Sequence, residues 1–446
     1  MMSILVFKIF FFFFLNKEKN NLKLCIESGL MIFFFIWIMK INKNDYFSNL
    51  MGGMGMDKIS FYLLMLLIYV VIKMIMVSKD EFSKSSNSSK YGLLIISMFV
   101  ILFFSLSVLS YLWFYFLFES SLFLLVYMIY GWGSYYERKE AGVYLLFFTL
   151  FCSLPFLYIM SKFMIEDSIS LMSDLIKNSS YIDKMTFFLM MVIFLMKLPM
   201  IFFHVWLPKA HVEAPLSGSL ILAGIMLKMG GYGMYRMFML MKLSCSVNMM
   251  DYLYLSYMGG IFMSLVSLIQ IDLKAMIAYS SVVHMASMIG GVSTMCVGGG
   301  KGGMMLMIGH GICSSFLFFM AMVIYWRVKS RNLYMNKGMM QMLLGMGSMW
   351  FMMNYSNMSG PFNLNFLGEI FLLVGMYWYD AKMIYLIILF MFVSVLFTLY
   401  MYSMVQGGKI NHIFGGGSVK VNEVLLSYMF CLFMYLFVVE MASIMF

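Results

Sequence analysis

The 446-residue chain is 63% hydrophobic and 11% charged, with a mean hydropathy of +0.91. A soluble domain carries about 25% charged residues, so these values exclude the two soluble domains that length alone would allow. The net charge of +10 is scattered as basic residues in short loops between apolar runs, with arginine only at Arg138, Arg236, Arg327 and Arg331. That pattern sets membrane topology rather than binding nucleic acid.

A membrane helix needs about 20 apolar residues. In chain order the runs are 3–16, 24–40, 57–78, 91–110, 111–131, 140–162, 185–208, 214–240, 249–270, 273–291, 302–327, 339–377, 382–404 and 422–445. They predict an all-α polytopic membrane protein of about fourteen helices, forming one membrane domain over 1–446. The first run is short, and the twelfth is long enough to be broken. Loops that follow odd-numbered spans hold sixteen basic residues, those after even-numbered spans nine. The positive-inside rule places the odd loops on the inner face and both termini on the outer one. The stretch 79–90 reads as the most soluble linker, and 163–184 as the longest connection. Gly298–Gly303 and Gly415–Gly417 lack the lysine-serine and strand context of a phosphate loop, and read as turns. The six cysteines show no ligand spacing and are expected to be buried thiols; the abundant methionines are core filler.

The region from Lys197 to Gly233 is the densest in unusual features. Lys197 and Lys228 lie near the middle of successive apolar runs, where a lysine costs roughly 2.5–3.5 kcal/mol on insertion scales. Pro199 should break the helix that carries Lys197. His204, Pro208, His211, Glu213 and Pro215 crowd the loop between. Flanking prolines and a missing fourth ligand argue against metal there, and the polar side chains are expected to cap helix ends. Elsewhere inside spans, ionisable groups are few: Glu119, Arg236, His284, His310 and Glu369. Lys8, Glu27, Lys73 and Glu440 lie near span ends and can reach the interface. A lone buried carboxylate needs a partner, and Lys197 is the obvious one for Glu119. Histidines titrate near neutral pH and suit a proton shuttle. Gly360 and Pro361 should break the twelfth span between about 359 and 366, with Glu369 just beyond. A proline beside a mid-membrane charge in two separate spans hints at a long inverted repeat.

The motif K-x-P, then H-x-W-L-P-K-A-H-V-E-A-P, then S-G-S-x-x-L-A-G-I-x-L-K-x-G-G-Y-G resembles that of the chain 4 family of respiratory complex I (NADH–ubiquinone oxidoreductase), one of three antiporter-like membrane subunits. The resemblance covers about 91–410. It implies two inverted five-helix repeats with helices 7 and 12 broken: 1–90 holds the N-terminal helices, 91–240 the first half, 249–404 the second and 405–446 a last helix. It implies a proton relay of Glu119, Lys197, Lys228, His284, His310 and Glu369. It implies no cofactor on this chain, since NADH, FMN, iron–sulfur clusters and ubiquinone belong to other subunits. Partners would be the other membrane-arm subunits, above all the neighbouring antiporter-like ones, and lipids. The setting would be the mitochondrial inner membrane with both termini toward the intermembrane space. An AT-rich, methionine-heavy composition and the lack of a transit-peptide pattern fit a protein made inside the organelle. Three prolines usual in the family are replaced, at Leu122 and its successors, Tyr136 and Phe362. A stand-alone cation/proton antiporter is the competing reading, and a passive scaffold a third; charges inside four spans argue against the scaffold.

Overall fold

The computed structural model describes residues 48–51, 54–77, 88–133, 136–166, 184–241, 250–343 and 345–408, with 424, 427, 428 and 431. Expectations for spans 3–16, 24–40 and 422–445, for Lys8, Glu27 and Glu440, and for Gly415–Gly417 lie outside the described residues.

Each of the eleven remaining apolar runs forms helix. They are α1 (Lys58–Val77), α2 (Ser88–Ser107), α3 (Tyr111–Trp132), α4 (Arg138–Glu166), then α5 (Lys184–Lys197) with α6 (Trp206–Glu213). Next come α7 (Leu216–Ile221) and α8 (Leu227–Met241), joined by a π-helical turn over Leu222–Met226. They are followed by α9 (Met250–Ile269), α10 (Leu273–Ser293) and α11 (Val297–Val328). The twelfth run divides into α12 (Met339–Met342), α13 (Met346–Asn357) and α14 (Leu364–Tyr379), and α15 (Met383–Gln406) follows. Among the described residues, eight helices are long and apolar enough to cross a membrane. A small antiparallel hairpin, β1 (Ser48–Met51) with β2 (Met54–Met56), precedes α1; no alternation in the sequence announced it.

Both expected breaks are present. Pro199 has no N–H to donate, and the last turn of α5 closes through Leu198 N–H to the Phe194 carbonyl at 2.7 Å. In the second break α13 ends at Asn357, Pro361 follows, and helix resumes at Leu364. With 12 and 16 residues on either side, at about 1.5 Å per residue, this break falls near the middle of the span. Each break holds a phenylalanine in the left-handed region, Phe202 at φ 77° and Phe362 at φ 69°, and the second also holds Ser359 at φ 58°. Bulky residues rarely adopt this conformation, at a cost on the order of 1–3 kcal/mol each.

Helices α10 and α11 are 94% buried over their apolar windows, against 39% for α4 and α15. The first two therefore form the centre of the bundle, and the others present apolar faces outward. Gly298–Gly303 is a correction to the sequence reading. These glycines are not a turn but lie in the opening turns of α11. A Cβ on Gly302 would sit 2.7 Å from the Gly368 carbonyl oxygen, and one on Gly375 would sit 2.6 Å from the Gly299 nitrogen. The absence of side chains lets α11 and α14 pack backbone to backbone, as small residues do between membrane helices.

Candidate functional site

Lys197 is the last residue of α5, and the unwound chain beyond it leaves its side chain free to turn inward to α3. Its Nζ lies 3.2 Å from Glu119 Oε1, with the two side chains 4% and 9% exposed. Lys197 Nζ also sits 3.3 Å from the centre of the Phe118 ring. The glycines of the G-G-Y-G motif bring α8 against this point. A Cβ on Gly230 would be 3.1 Å from Lys197 Cβ, and one on Gly233 would collide with the Phe194 ring.

The second cluster is built around Lys228, which is fully buried. Its ammonium donates to the Ala223 carbonyl, inside the π turn, at 2.5 Å. It also lies 3.1 Å from His310 Nδ1 of α11. When Lys228 is protonated it can only donate, and His310 Nδ1 is then the acceptor with the ring proton on Nε2. The π turn adds one residue to the helical repeat and so sets the direction in which Lys228 points. His284 of α10 stands next, its ring centre 5.3 Å from that of His310, with Asn357 beside it at the end of α13.

Glu369 is 8% exposed on α14, beside Ser359 in the break and Tyr257 of α9. The structure therefore joins Glu119 with Lys197, and Lys228 with His310 and His284. Among the described residues no hydrogen bond or ion pair links the two clusters or ties Glu369 to either. Several buried polar atoms around the second break lack a protein partner: Nε2 of His310, Oγ of Ser314, Nδ2 of Asn363 and Oδ1 of Asn365. Such atoms are the ones that ordered water satisfies in protein interiors.

Residues 108–398 match the family model described as NADH:quinone oxidoreductase/Mrp antiporter, TM, and residues 1–105 match NADH-ubiquinone oxidoreductase chain 4, amino terminus. The chain is 40% identical over 412 residues to NADH-ubiquinone oxidoreductase chain 4 of Ceratitis capitata, covering 91% of each, and 41% identical over 393 residues to that of Locusta migratoria, covering 86% of each. The chain belongs to the NADH-ubiquinone oxidoreductase chain 4 family. Its fold is similar to that of a chain in respiratory complex I from Thermus thermophilus, with a TM-score of 0.83 at 21% identity over 93% of this chain and 90% of that one.

In this chain 4 family member three ionisable groups differ from the sequence reading. His211 caps no helix end: it is fully buried, with its ring stacked on Phe318 at 4.6 Å and 8°. Both its nitrogens lack a hydrogen-bond partner, and Lys274 and Lys228 are its charged neighbours. Lys73 does not reach an interface; it is 3% exposed, its Nζ 5.6 Å from the Tyr69 ring centre. Glu213 also caps nothing and instead lies 3.8 Å from Arg331, beyond α11. The contacts of His211 and Glu213 had no sequence signal, because each partner is distant in the chain. Arg236 pairs with Asp57 and donates to the Tyr232 hydroxyl at 2.9 Å, tying α8 to the start of α1.

Proposed function

We propose that this chain is a proton-translocating membrane subunit of NADH:ubiquinone oxidoreductase in the mitochondrial inner membrane. Electron transfer from NADH to ubiquinone takes place in other subunits, which carry NADH, FMN, iron–sulfur clusters and ubiquinone. This chain converts it into proton movement, packed in the membrane arm between other antiporter-like subunits and lipid.

The observation that carries the reading is the buried Glu119–Lys197 pair set at a helix break. An ion pair inside a bundle is expensive to maintain and weak as a stabiliser, so stability alone does not account for it. Broken helices beside buried ions are how transporters build sites. In this reading Lys197 holds its proton while paired and yields it when the pair opens. Lys228, His310 and His284 take the charge across the centre, and Glu369 passes it out. The orphaned polar atoms between His284 and Glu369 support a hydrated link over the stretch where side chains do not touch. Residues 91–240 and 249–404 act as two inverted halves, each with its own break, after helices in 1–90 and before a last one in 405–446. Both termini face the intermembrane space, in keeping with the excess of basic residues in the odd loops.

The description of the matched family also names Mrp antiporters, which keeps a stand-alone antiporter as the second reading. Native-gel electrophoresis of gently solubilised membranes separates the two. Migration in one large assembly with NADH dehydrogenase activity supports the pump subunit, and migration as a small independent species overturns it. The relay is tested by Glu369→Gln, which should lower NADH-driven proton uptake with assembly intact; full uptake would remove Glu369 from the path.

A further inference from the structure

The Lys197 ammonium has two neighbours: Glu119 Oε1 at 3.2 Å and the Phe118 ring centre at 3.3 Å. Phe118 is 2% exposed. It stacks on Phe114 with centres 5.4 Å apart at 21°, and leans against Phe194 at 6.4 Å. Phe194 is held edge-on by Phe156 at 5.5 Å. In a close-packed interior a ring so surrounded cannot turn away without repacking its neighbours. A locked lysine–carboxylate bridge has a charge-assisted hydrogen bond of about 2.7–2.9 Å. Here the two atoms stand 3.2 Å apart, longer than such a bond. A ring face attracts a desolvated ammonium toward its centre, and this one draws the charge off the line of that bond.

We propose that Phe118 is a positioning residue whose ring face seats the Lys197 ammonium beside Glu119 while keeping the pair from locking, so that it opens readily. The inference rests on the reading above, in which Lys197 is the mobile charge. A residue needed only for packing would act through its volume; this one acts through its π face.

The test uses vesicles carrying the intact complex and reads coupled proton uptake, together with a density map of the Lys197 site. Phe118→Leu should slow uptake about thirtyfold, the scale of one desolvated cation–π contact, and shorten the Lys197 Nζ–Glu119 distance to about 2.7–2.9 Å. Phe118→Tyr, which keeps the face, should restore the rate. Phe187→Leu, at a buried ring of α5 packed on Phe238 and Tyr252 rather than on this cluster, should leave it unchanged. Wild-type uptake in Phe118→Leu, or an equal loss in all three variants, overturns the proposal. If Phe118→Leu does not assemble, Phe118→Met, also without a ring but flexible enough to fill the space, is held to the same expectation. Failure of both to assemble makes the ring a packing element and ends the proposal. Lys197→Ala run alongside separates the two levels. Full uptake there removes the relay itself, whereas loss there with normal uptake in Phe118→Leu removes only the seat.

Discussion

Lys228 and Arg236 lie two turns apart in one helix, both buried, yet their surroundings differ. Arg236 faces a carboxylate and a hydroxyl, and is a staple. Lys228 faces a carbonyl and an imidazole; the imidazole can take up a proton, and neither group neutralises the charge. Substitution should separate the roles. Arg236→Ala leaves the part-buried Asp57 carboxylate without this partner and should destabilise the chain by about 1–3 kcal/mol, seen as lower thermal stability of the complex, while the fraction that assembles pumps normally. Lys228→Met, close in volume and uncharged, should keep assembly and lose this subunit's share of proton uptake per NADH oxidised. Equal pumping defects in the two would merge the roles. At this scale the sequence is informative where burial of a charge is itself improbable: Glu119, Lys197 and Lys228 stand out in apolar runs. His211 did not, because prolines and a glutamate around it made the segment look like a loop, and only the fold brings Phe318 against its ring.

At the scale of elements, Pro199 and Pro361 made both breaks readable, since a missing N–H acts locally whatever the tertiary context. The π turn at Leu222–Met226 left no such mark, because no residue type requires it. Its effect on function is geometric. Deleting Ile225 should remove the extra residue and close the turn as α-helix with both flanks in place, so that the Ala223 carbonyl returns to the helix ladder and no longer receives the Lys228 ammonium. The expected outcome is an assembled complex with lowered proton uptake and a map without the Lys228–Ala223 hydrogen bond; a retained bond would show that the turn does not present that carbonyl to the lysine. The glycine run at 298–303 was misread because glycine favours turns in water and close helix packing in membranes. Gly302→Ala should reveal the second use. Its Cβ meets backbone rather than a yielding side chain, so α11 and α14 must separate, at about 1–3 kcal/mol, measurable as reduced thermal stability of the complex.

For the molecule as a whole, the apolar runs within the described residues all became helices, since hydropathy over 20 residues is decided by the solvent and hardly by the fold. The run lengths carry no information about which helices lie at the centre; α10 and α11 occupy it because glycine and other small residues let neighbours approach them. Charge distribution supports the proposed orientation, and cysteine labelling with an impermeant reagent checks it. In mitoplasts Ser179→Cys should label from outside and Ser85→Cys only after permeabilisation; the reverse pattern would invert the topology.

The central claim is that the Glu119–Lys197 pair drives proton movement, and the most direct measurement is the number of protons taken up per NADH oxidised in sealed vesicles bearing Lys197→Ala. The account predicts an assembled complex that still oxidises NADH but has lost the pumping due to this subunit. Assembly with an unchanged proton-to-NADH ratio would contradict it.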